Sequence, residues 1–455
     1  MKLTTIILAA GKGTRMRSDK PKILHRIAGK TLLEHVYAMS RHLDDNDIKI
    51  VYGHGAALVI ECLKHLDAQW IEQKEQLGTG HAVQQVSEFI ADDSTVLILY
   101  GDVPLLKLET VRKLIENATD ALALLTVKLP DPHGYGRIVR DGNMKVRKIV
   151  EQKDATAEEQ LITEVNTGIM AVKGALLKQW LDRLENNNAQ NEYYLTDVIE
   201  MAVNDDIAIV TSQPDTEDEV LGVNNRMQLA HLERVYQLQQ ARRLMEQGVT
   251  LMDPSRFDVR GEIIKLGQDI EIDVNVILEG RIHIGNNVTI GANTIIINSI
   301  IHDDVTILPN SIIEDAEVGK GSRIGPFARL RPQAKLAENV HIGNFVEIKK
   351  STVAEGSKIN HLSYIGDSMV GSNVNIGAGT ITCNYDGVNK FNTIIEDNAF
   401  IGSNSQLVAP VTIGKNATIG AGSTITRDTP QDKLTLARAK QITITTWQRP
   451  VKKEK

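Results

Sequence analysis

The sequence predicts two architectures in one chain: an open α/β layer structure over residues 1–225 and a parallel β-helix over residues 250–455, joined by a helix at 226–249. Three observations predict this. Strand-like and helix-like segments alternate through the first half, a helical repeat follows Arg226, and from about Ile272 an aliphatic residue returns at every sixth position.

In the first half, residues 5–10, 48–52, 95–100 and 121–127 are short apolar runs rich in β-branched residues or leucine, with amphipathic stretches such as 31–43 and 80–90 between them. Alternation of this kind gives a mostly parallel sheet with helices on both faces, and ligands bind beyond the carboxyl ends of its strands. Leu229, Leu232, Val235, Leu238 and Arg242 then keep a helical spacing that closes near Gly248.

The six-residue beat runs Ile272, Leu278, Ile284, Ile290, Ile296, then Val318, Ile324, Leu330, Leu336, Ile342, Ile348, and after an interruption Ile395, Ile401, Leu407, Ile413, Ile419, Ile425. A small residue often follows, as in Ile324-Gly325 or Ile413-Gly414. Each unit makes one flat side of a triangular coil. The aliphatic points into the prism, the small residue permits the corner, and three units complete one of roughly ten rungs.

Composition bounds the function. At 455 residues the chain exceeds one domain of ~150 residues. A net charge of −7 argues against a nucleic-acid partner, which would meet a basic face. Basic residues cluster only in the tail from Arg449 to Lys455, which reads as a frayed terminus. Two distant thiols, Cys62 and Cys383, form no disulfide framework and no metal spacing, so a reducing compartment is expected. The apolar run before Gly11 is far shorter than the ~20 residues of a spanning helix and reads as a buried first strand, so no membrane partner and a cytoplasmic location are expected.

Two polar sets carry chemistry. Gly11-Lys12-Gly13-Thr14-Arg15-Met16 follows the first strand and precedes Lys20-Pro21-Lys22. It is neither a dinucleotide fingerprint, since Met16 replaces the third glycine, nor a P-loop. Such a loop is either a simple turn or a polyphosphate cradle with Arg15 and Lys22 as counter-charges. Asp102 ends the buried run 96–100. It could cap the next helix, or face the glycine loop across the crevice and hold Mg²⁺, which needs only one or two protein carboxylates. In the second half, Arg331, Lys349 and His361 interrupt the hexads, and a twelve-residue insertion at 382–393 carries Cys383-Asn384-Tyr385-Asp386-Gly387. A lone histidine there is ordinarily a solvated side chain. Grouped with these residues it becomes a general-base candidate.

The first set, Leu8-Ala9-Ala10-Gly11-Lys12-Gly13-Thr14-Arg15-Met16 with Pro21-Lys22 and Gly101-Asp102-Val103-Pro104, resembles the nucleotide-sugar pyrophosphorylases. Gln73, Gln76-Leu77-Gly78-Thr79-Gly80-His81-Ala82, Gly134-Tyr135-Gly136-Arg137, Val150-Glu151, Glu164-Val165-Asn166-Thr167-Gly168 and Gly222-Val223-Asn224-Asn225 narrow that resemblance to the N-acetylglucosamine-1-phosphate uridylyltransferases. The resemblance implies a Rossmann-like nucleotidyltransferase domain. Leu8, Ala9, Ala10, Gly11, Tyr100 and Gly101 would line the nucleotide site, and Gln73 with the backbone of Gly78 and Thr79 would read uracil. Gly136, Glu151 and Asn166 would hold the amino sugar, Asp102 and Asn224 would hold Mg²⁺, and Arg15 and Lys22 would stabilise the departing pyrophosphate of UTP.

The second set resembles the acetyltransferase half of the bifunctional enzymes that make UDP-N-acetylglucosamine. The matching stretches are Arg329-Leu330-Arg331-Pro332, Gly343-Asn344-Phe345-Val346-Glu347-Ile348-Lys349-Lys350, His361-Leu362-Ser363-Tyr364, Asn375 to Gly387 and Phe400-Ile401-Gly402-Ser403. This resemblance supplies the left hand of the β-helix of hexapeptide repeats and a homotrimer. It implies acetyl transfer from acetyl-CoA to glucosamine 1-phosphate, with N-acetylglucosamine 1-phosphate passing to the other site. Arg331, Lys349, Tyr364, Asn375, Asn384 and Tyr385 would bind the sugar phosphate and the reacting groups. His361 would be the base, and Ala378, Ser403, Ala421 and Arg438 would line the coenzyme A path together with Asn384 and Tyr385. Lys440 stands where the family commonly has proline.

Two other readings fit parts of the sequence. One is a uridylyltransferase whose β-helix only holds a trimer together; His361 and Asn384-Tyr385 speak against it. The other is a nucleotide-sugar sensor, which would have no use for a pyrophosphate clamp.

Overall fold

The computed structural model describes residues 2–452; Met1 and the last three residues of the basic tail lie outside the described residues. The chain divides into two compact units, Met1–Tyr236 and Gln237–Lys455. The boundary falls inside one helix, Arg226–Glu246. Leu232 of that helix packs with Met16, Ile27, Leu32 and Val223 in the first unit. Ala241 and Leu244 belong to the core of the second, where the buried Gln237 amide exchanges two hydrogen bonds with the Val259 backbone, at 3.0 and 2.8 Å.

The first unit is built on a nine-stranded sheet over the described residues. In chain order its strands are β1 Leu3–Ala9, β2 Asn46–Tyr52, β3 Gln69–Glu72, β4 Thr95–Tyr100, β5 Leu122–Lys128, β6 Arg137–Arg140, β7 Val146–Val150, β8 Glu164–Lys173 and β9 Ile209–Ser212. The main path runs β9-β5-β8-β4-β1-β2-β3. β1 pairs in parallel with both β2 and β4, whereas β8 is antiparallel to its neighbours β4 and β5. β1 and the central residues of β4 are almost wholly buried, hence their unbroken apolar runs. The chain leaves β1 toward β2 and β3 and then returns to β4 on the other side. That reversal opens a crevice beyond the carboxyl ends of β1 and β4.

Local chemistry sets the helix starts. Thr31 and Glu34 form a reciprocal cap on α1, Leu32–Ser40, with Glu34 N–H donating to Thr31 Oγ1 at 3.2 Å and Thr31 N–H to Glu34 Oε2 at 2.6 Å. The helix expected at 80–90 is shorter and broken. α-Helical turns cover Thr79–Gln84, the Val86 N–H tightens onto Val83 O, and a separate 3₁₀ turn covers Ser87–Phe89.

The second unit is a parallel β-helix. One face is an eleven-stranded sheet over the described residues, and a seventeen-stranded sheet wraps the rest. Ile290, Ile307, Ile324, Ile342, Ile359, Ile376, Ile401 and Ile419 stand one above the next, all buried in one continuous core. These register pairs make the rung seventeen or eighteen residues long, because some corners drop a residue. That explains the interruption in the six-residue beat. Val353, Ile359, Ile365, Val370 and Ile376 continue the core through residues 349–376, and it resumes at Ile395.

The insertion is also smaller than expected. Thr382 remains in the prism wall, buried, with its Oγ1 accepting from Gly366 N–H at 2.8 Å. The Ile376–Ile401 pair is twenty-five residues apart, so eight residues leave the rung, as an excursion beginning at Asn384.

Corners need a residue in the left-handed region, and Asn or Asp supplies it at Asn275, Asn293, Asp304, Asn310 and Asn373, among others. Five residues of this unit break that rule: Phe327, Gln333, Phe345, Lys350 and Leu362. All fall on the middle rungs.

Truncating an inward aliphatic leaves a void bounded by the rungs above and below. Ile307→Ala is expected to destabilise the second unit by ~2–5 kcal/mol, read as a lower urea midpoint of that unit's transition while the first unit's transition stays in place.

Candidate active sites

The first cluster lies in the β1/β4 crevice. The Gly101 N–H donates to Leu8 O at 2.9 Å, which sets Asp102 at the mouth. Asp102 Oδ2 accepts a short hydrogen bond from the Lys22 ammonium. Lys22 Nζ also donates to Asn224 Oδ1 at 3.2 Å, and Arg15 Nη2 donates to the same oxygen at 2.8 Å. Val223 N–H donates to Asp102 O at 2.9 Å, tying the two oxygen-bearing segments together. Gly13 makes the approach possible: at φ +60, a Cβ there would stand 2.8 Å from Lys22 Cβ. Two cations and two hard oxygens from four separated segments thus meet at one point.

Leu8, Ala9 and Ala10 are buried where β1 ends, and Gly11 is exposed beyond them. Gly53 abuts both Ala10 and Gln73: a Cβ there would meet Ala10 Cβ at 3.1 Å and Gln73 O at 3.0 Å. The buried Gln73 donates its amide N–H to Gly78 O at 3.1 Å and lies 3.1 Å from His81 Nδ1. On the other side, Asn166 N–H donates to Gly136 O at 2.9 Å, and Glu151 Oε1 accepts from Thr196 Oγ1 at 3.2 Å. Tyr100 lies between these groups, its ring against Gly168, where φ +80 and the lack of a Cβ leave it room. Burial, with the charges of Glu151 and Asp102, pushes the Tyr100 phenol up, against a hydrogen bond with Thr79. Burial also pushes the Glu151 carboxyl up, opposed by Thr196 and Arg137.

Thr196 and the acidic group behind Glu151 were not legible in the sequence. Asp197 is pushed up to about 6, first by burial, then by Glu200, Glu151 and Asp154.

In the second unit the expected residues fall into two ladders. Along one corner stand Asn344, His361, Ala378, Ser403, Ala421 and Arg438. Leu362 N–H donates to Asn344 O at 3.0 Å, Gly379 N–H to His361 O at 3.3 Å, Asn404 N–H to Ala378 O at 2.7 Å and Gly422 N–H to Ser403 O at 2.8 Å. Arg438 Nη1 donates to Ala421 O at 2.8 Å. Asn375 lies on the strand above Lys358, three residues before His361.

The other ladder carries Arg331, Lys349 and Asn384. Tyr364 begins the strand whose third residue, Gly366, pairs with Lys349. Arg331 is paired with Glu347 at 2.7 Å. Lys349 Nζ donates to Asp367 Oδ2 at 3.0 Å, and Asn384 Nδ2 donates to the same oxygen. Lys350 lies 3.6 Å from Asp367 Oδ1. Burial works against the Asp367 charge, but these partners outweigh it and hold the carboxyl below its ordinary range. Asp367 therefore seats both Lys349 and the base of the excursion.

No sequence signal marked Asp367, because aspartate is what a left-handed corner ordinarily takes. Contact with Lys349 holds Lys390 below the usual ammonium range, so the excursion brings a further cation to this end. Tyr385 is exposed, its hydroxyl bonded to Gly387 O. Burial pushes the Cys383 thiol up, which favours packing over reactivity.

Residues 5–155 match the MobA-like NTP transferase domain, and residues 298–332, 315–350 and 392–427 match the bacterial transferase hexapeptide of six repeats. Fold and sites together define a nucleotidyltransferase fused to a hexapeptide-repeat transferase. A Bifunctional protein GlmU of Methylococcus capsulatus is 62% identical over 100% of this chain and 99% of its own, and one of Marinobacter nauticus is 56% identical over 99% of each. The chain belongs to the GlmU family of bifunctional proteins. A solved UDP-glucose pyrophosphorylase complexed with UDP-glucose aligns with 52% of this chain and 98% of its own at 15% identity, with a TM-score of 0.42.

Because the Asp197 pKa is raised on folding, the folded state holds its proton more tightly than the unfolded state. Stability is then lost as pH rises through about 6. Asp197→Asn is expected to raise the melting temperature of the first unit at pH 7.5, with the gain gone near pH 4. Melts across that range check this; a pH-independent gain would contradict it.

Proposed function

We propose that the chain makes UDP-N-acetylglucosamine in two steps at two separate sites. The second unit moves the acetyl group of acetyl-CoA to glucosamine 1-phosphate. The first unit then transfers uridylyl from UTP to the resulting N-acetylglucosamine 1-phosphate. The observation that carries this reading is the convergence of Arg15, Lys22, Asp102 and Asn224 in a switch-point crevice, in the same chain as a histidine ladder on a β-helix.

In the uridylyl step an anionic phosphate oxygen of the sugar phosphate attacks the α-phosphorus of UTP, and the bond from that phosphorus to the bridging oxygen breaks, releasing pyrophosphate. No protein nucleophile is needed, so catalysis is positioning and charge neutralisation. Gln73, its N–H already bonded to Gly78, would offer its carbonyl to uracil N3–H, with the Gly78 and Thr79 backbone completing the edge. Gly136, Glu151 and Asn166 would hold the sugar, and Arg15 and Lys22 the pyrophosphate.

Asp102 and Asn224 suit a divalent cation, because both oxygens already meet one positive group, the Lys22 ammonium. Bound there, Mg²⁺ would neutralise phosphate charge.

In the acetyl step the sugar phosphate would lie on Arg331 and Lys349, with Tyr364, Asn375, Asn384 and Tyr385 around it. Once the ammonium has lost a proton to solvent, its nitrogen attacks the thioester carbonyl. His361 takes a second proton from that nitrogen as the carbon–sulfur bond breaks, and returns it to the departing thiolate. Ala378, Ser403, Ala421 and Arg438 would line the coenzyme A path, up the corner from His361.

The assembly is a homotrimer, supported by the exposed Met369, Ile381 and Ile394 on flat prism faces. The place of work is the cytoplasm, supported by two free cysteines. No helix among the described residues is long and apolar enough to cross a membrane.

The test mixes the protein with glucosamine 1-phosphate, acetyl-CoA, UTP and Mg²⁺ and follows free thiol and pyrophosphate separately. Asp102→Ala is expected to lose uridylyl transfer and keep thiol release, with N-acetylglucosamine 1-phosphate supplied as substrate for the uridylyl assay. His361→Ala is expected to lose thiol release by ~10²-fold or more and keep uridylyl transfer. Loss of both activities in either folded variant overturns the separation.

A further inference from the structure

We infer that Asn344 is a positioning residue for acetyl transfer: it fixes the His361 ring and selects the tautomer in which Nε2 carries the free lone pair. The inference deepens the reading of His361 as base and rests on it.

Asn344 and His361 are register partners on adjacent rungs, in the strands His341–Asn344 and Lys358–His361. His361 Nδ1 lies 2.8 Å from Asn344 Oδ1. An amide oxygen can only accept, so Nδ1 must carry the hydrogen, and Nε2 is left as the basic nitrogen. Among the described residues no other side chain hydrogen-bonds to this ring. The titratable groups on the elements around it are His341 on the strand below, Lys358 on its own strand and Tyr364 past the corner. The carboxylate on these elements is Glu347, beneath Tyr364, and it is paired with Arg331 at 2.7 Å, so the hydrogen-bond partner of the ring is the neutral Asn344 amide. A neutral acceptor orients the ring and sets the tautomer without supplying charge to hold the proton once taken.

The backbone supports the same pairing. The Asn344 carbonyl also accepts the Leu362 N–H at 3.0 Å, so Asn344 holds both the ring and the residue that follows it. The positions that follow, Phe345 and Leu362, sit at φ +56 and +49, as Phe327 does at +55 on the rung below, where many other corners of this unit use Asn or Asp. Both side chains are exposed, and Phe345 stacks on Phe327 with ring centroids 5.3 Å apart. Left-handed bulky residues cost of order 1–3 kcal/mol each and persist where the surroundings impose them. Here they mark the corner that carries the histidine.

The test uses the full-length protein with acetyl transfer, uridylyl transfer and ring-nitrogen NMR as three readouts. Asn344→Ala is expected to lower kcat for acetylation about tenfold or more, to leave KM for glucosamine 1-phosphate and acetyl-CoA within about twofold, and to leave uridylyl transfer unchanged. The ¹⁵N shifts of His361 are expected to show a protonated Nδ1 in the wild type and its loss in the variant. Asn344→Asp keeps the acceptor and is expected to restore most of kcat, with the acid limb of the kcat/KM profile displaced to higher pH by the added carboxylate.

A wild-type kcat in Asn344→Ala, or an Asn344→Asp variant as slow as the alanine with an unmoved acid limb, overturns the inference. His361→Ala separates the two claims. If it abolishes acetylation while Asn344→Ala does not, the base stands and the positioning role falls. If it retains acetylation, both fall.

Discussion

The second unit depends on one constraint: each inward aliphatic must stand on the one below it while the backbone bonds of successive rungs stay in line. Ile290, Ile307, Ile324 and Ile342 show the consequence. Burying each such side chain is worth ~1.5–3 kcal/mol, and the benefit requires neighbours in register. Spacing along the chain therefore becomes position in space. Residues a rung apart form a ladder, and a ladder of polar residues forms an extended site. Asn344, His361, Ala378, Ser403 and Ala421 are brought together by this rule, and Arg438 joins them through its hydrogen bond to Ala421 O.

The first unit reaches convergence differently. Its sheet reverses direction of growth at β1, so the loop after β1 and the end of β4 open into one space. Asp102, Lys22, Arg15 and Asn224 come from four segments, and Lys22 with Arg15 holds the oxygens together. Charges that would repel across an empty crevice are mutually compensated. At the other end burial, with the carboxylates nearby, raises the Glu151 pKa against Thr196 and Arg137, and burial raises that of Asp197 as well. The two ends of this crevice thus differ in character, one cationic and matched, the other acidic and buried.

Much of this was legible in the sequence, and the rest was hidden for identifiable reasons. The glycine loop and Asp102 could be read because they abut buried strands whose apolar runs are unmistakable. Thr196 could not be connected to Glu151, because 45 residues separate them and only the packing of the helix Asp197–Asn204 beside β7 brings them close. The six-residue beat revealed the prism but misstated its rung. Counting eighteen back from His361 gives Gly343, whereas the seventeen-residue rung gives Asn344. The dropped corner residue also made the interruption look longer than it is, since the core runs on to Ile376 and resumes at Ile395. Asp367 was concealed by its company, since aspartate at a left-handed corner is the ordinary choice in this fold.

The corner excursion that begins at Asn384 shows what the prism tolerates. Its residues leave the wall and return to it, and Ile376 still stands beneath Ile401. A single residue added within a flat side would instead turn aliphatics outward and polar groups inward for the remainder of that side. Growth of this molecule is therefore quantised. It can lengthen by complete turns or by loops hung from its vertices, and it keeps the count between them much as a screw keeps its pitch.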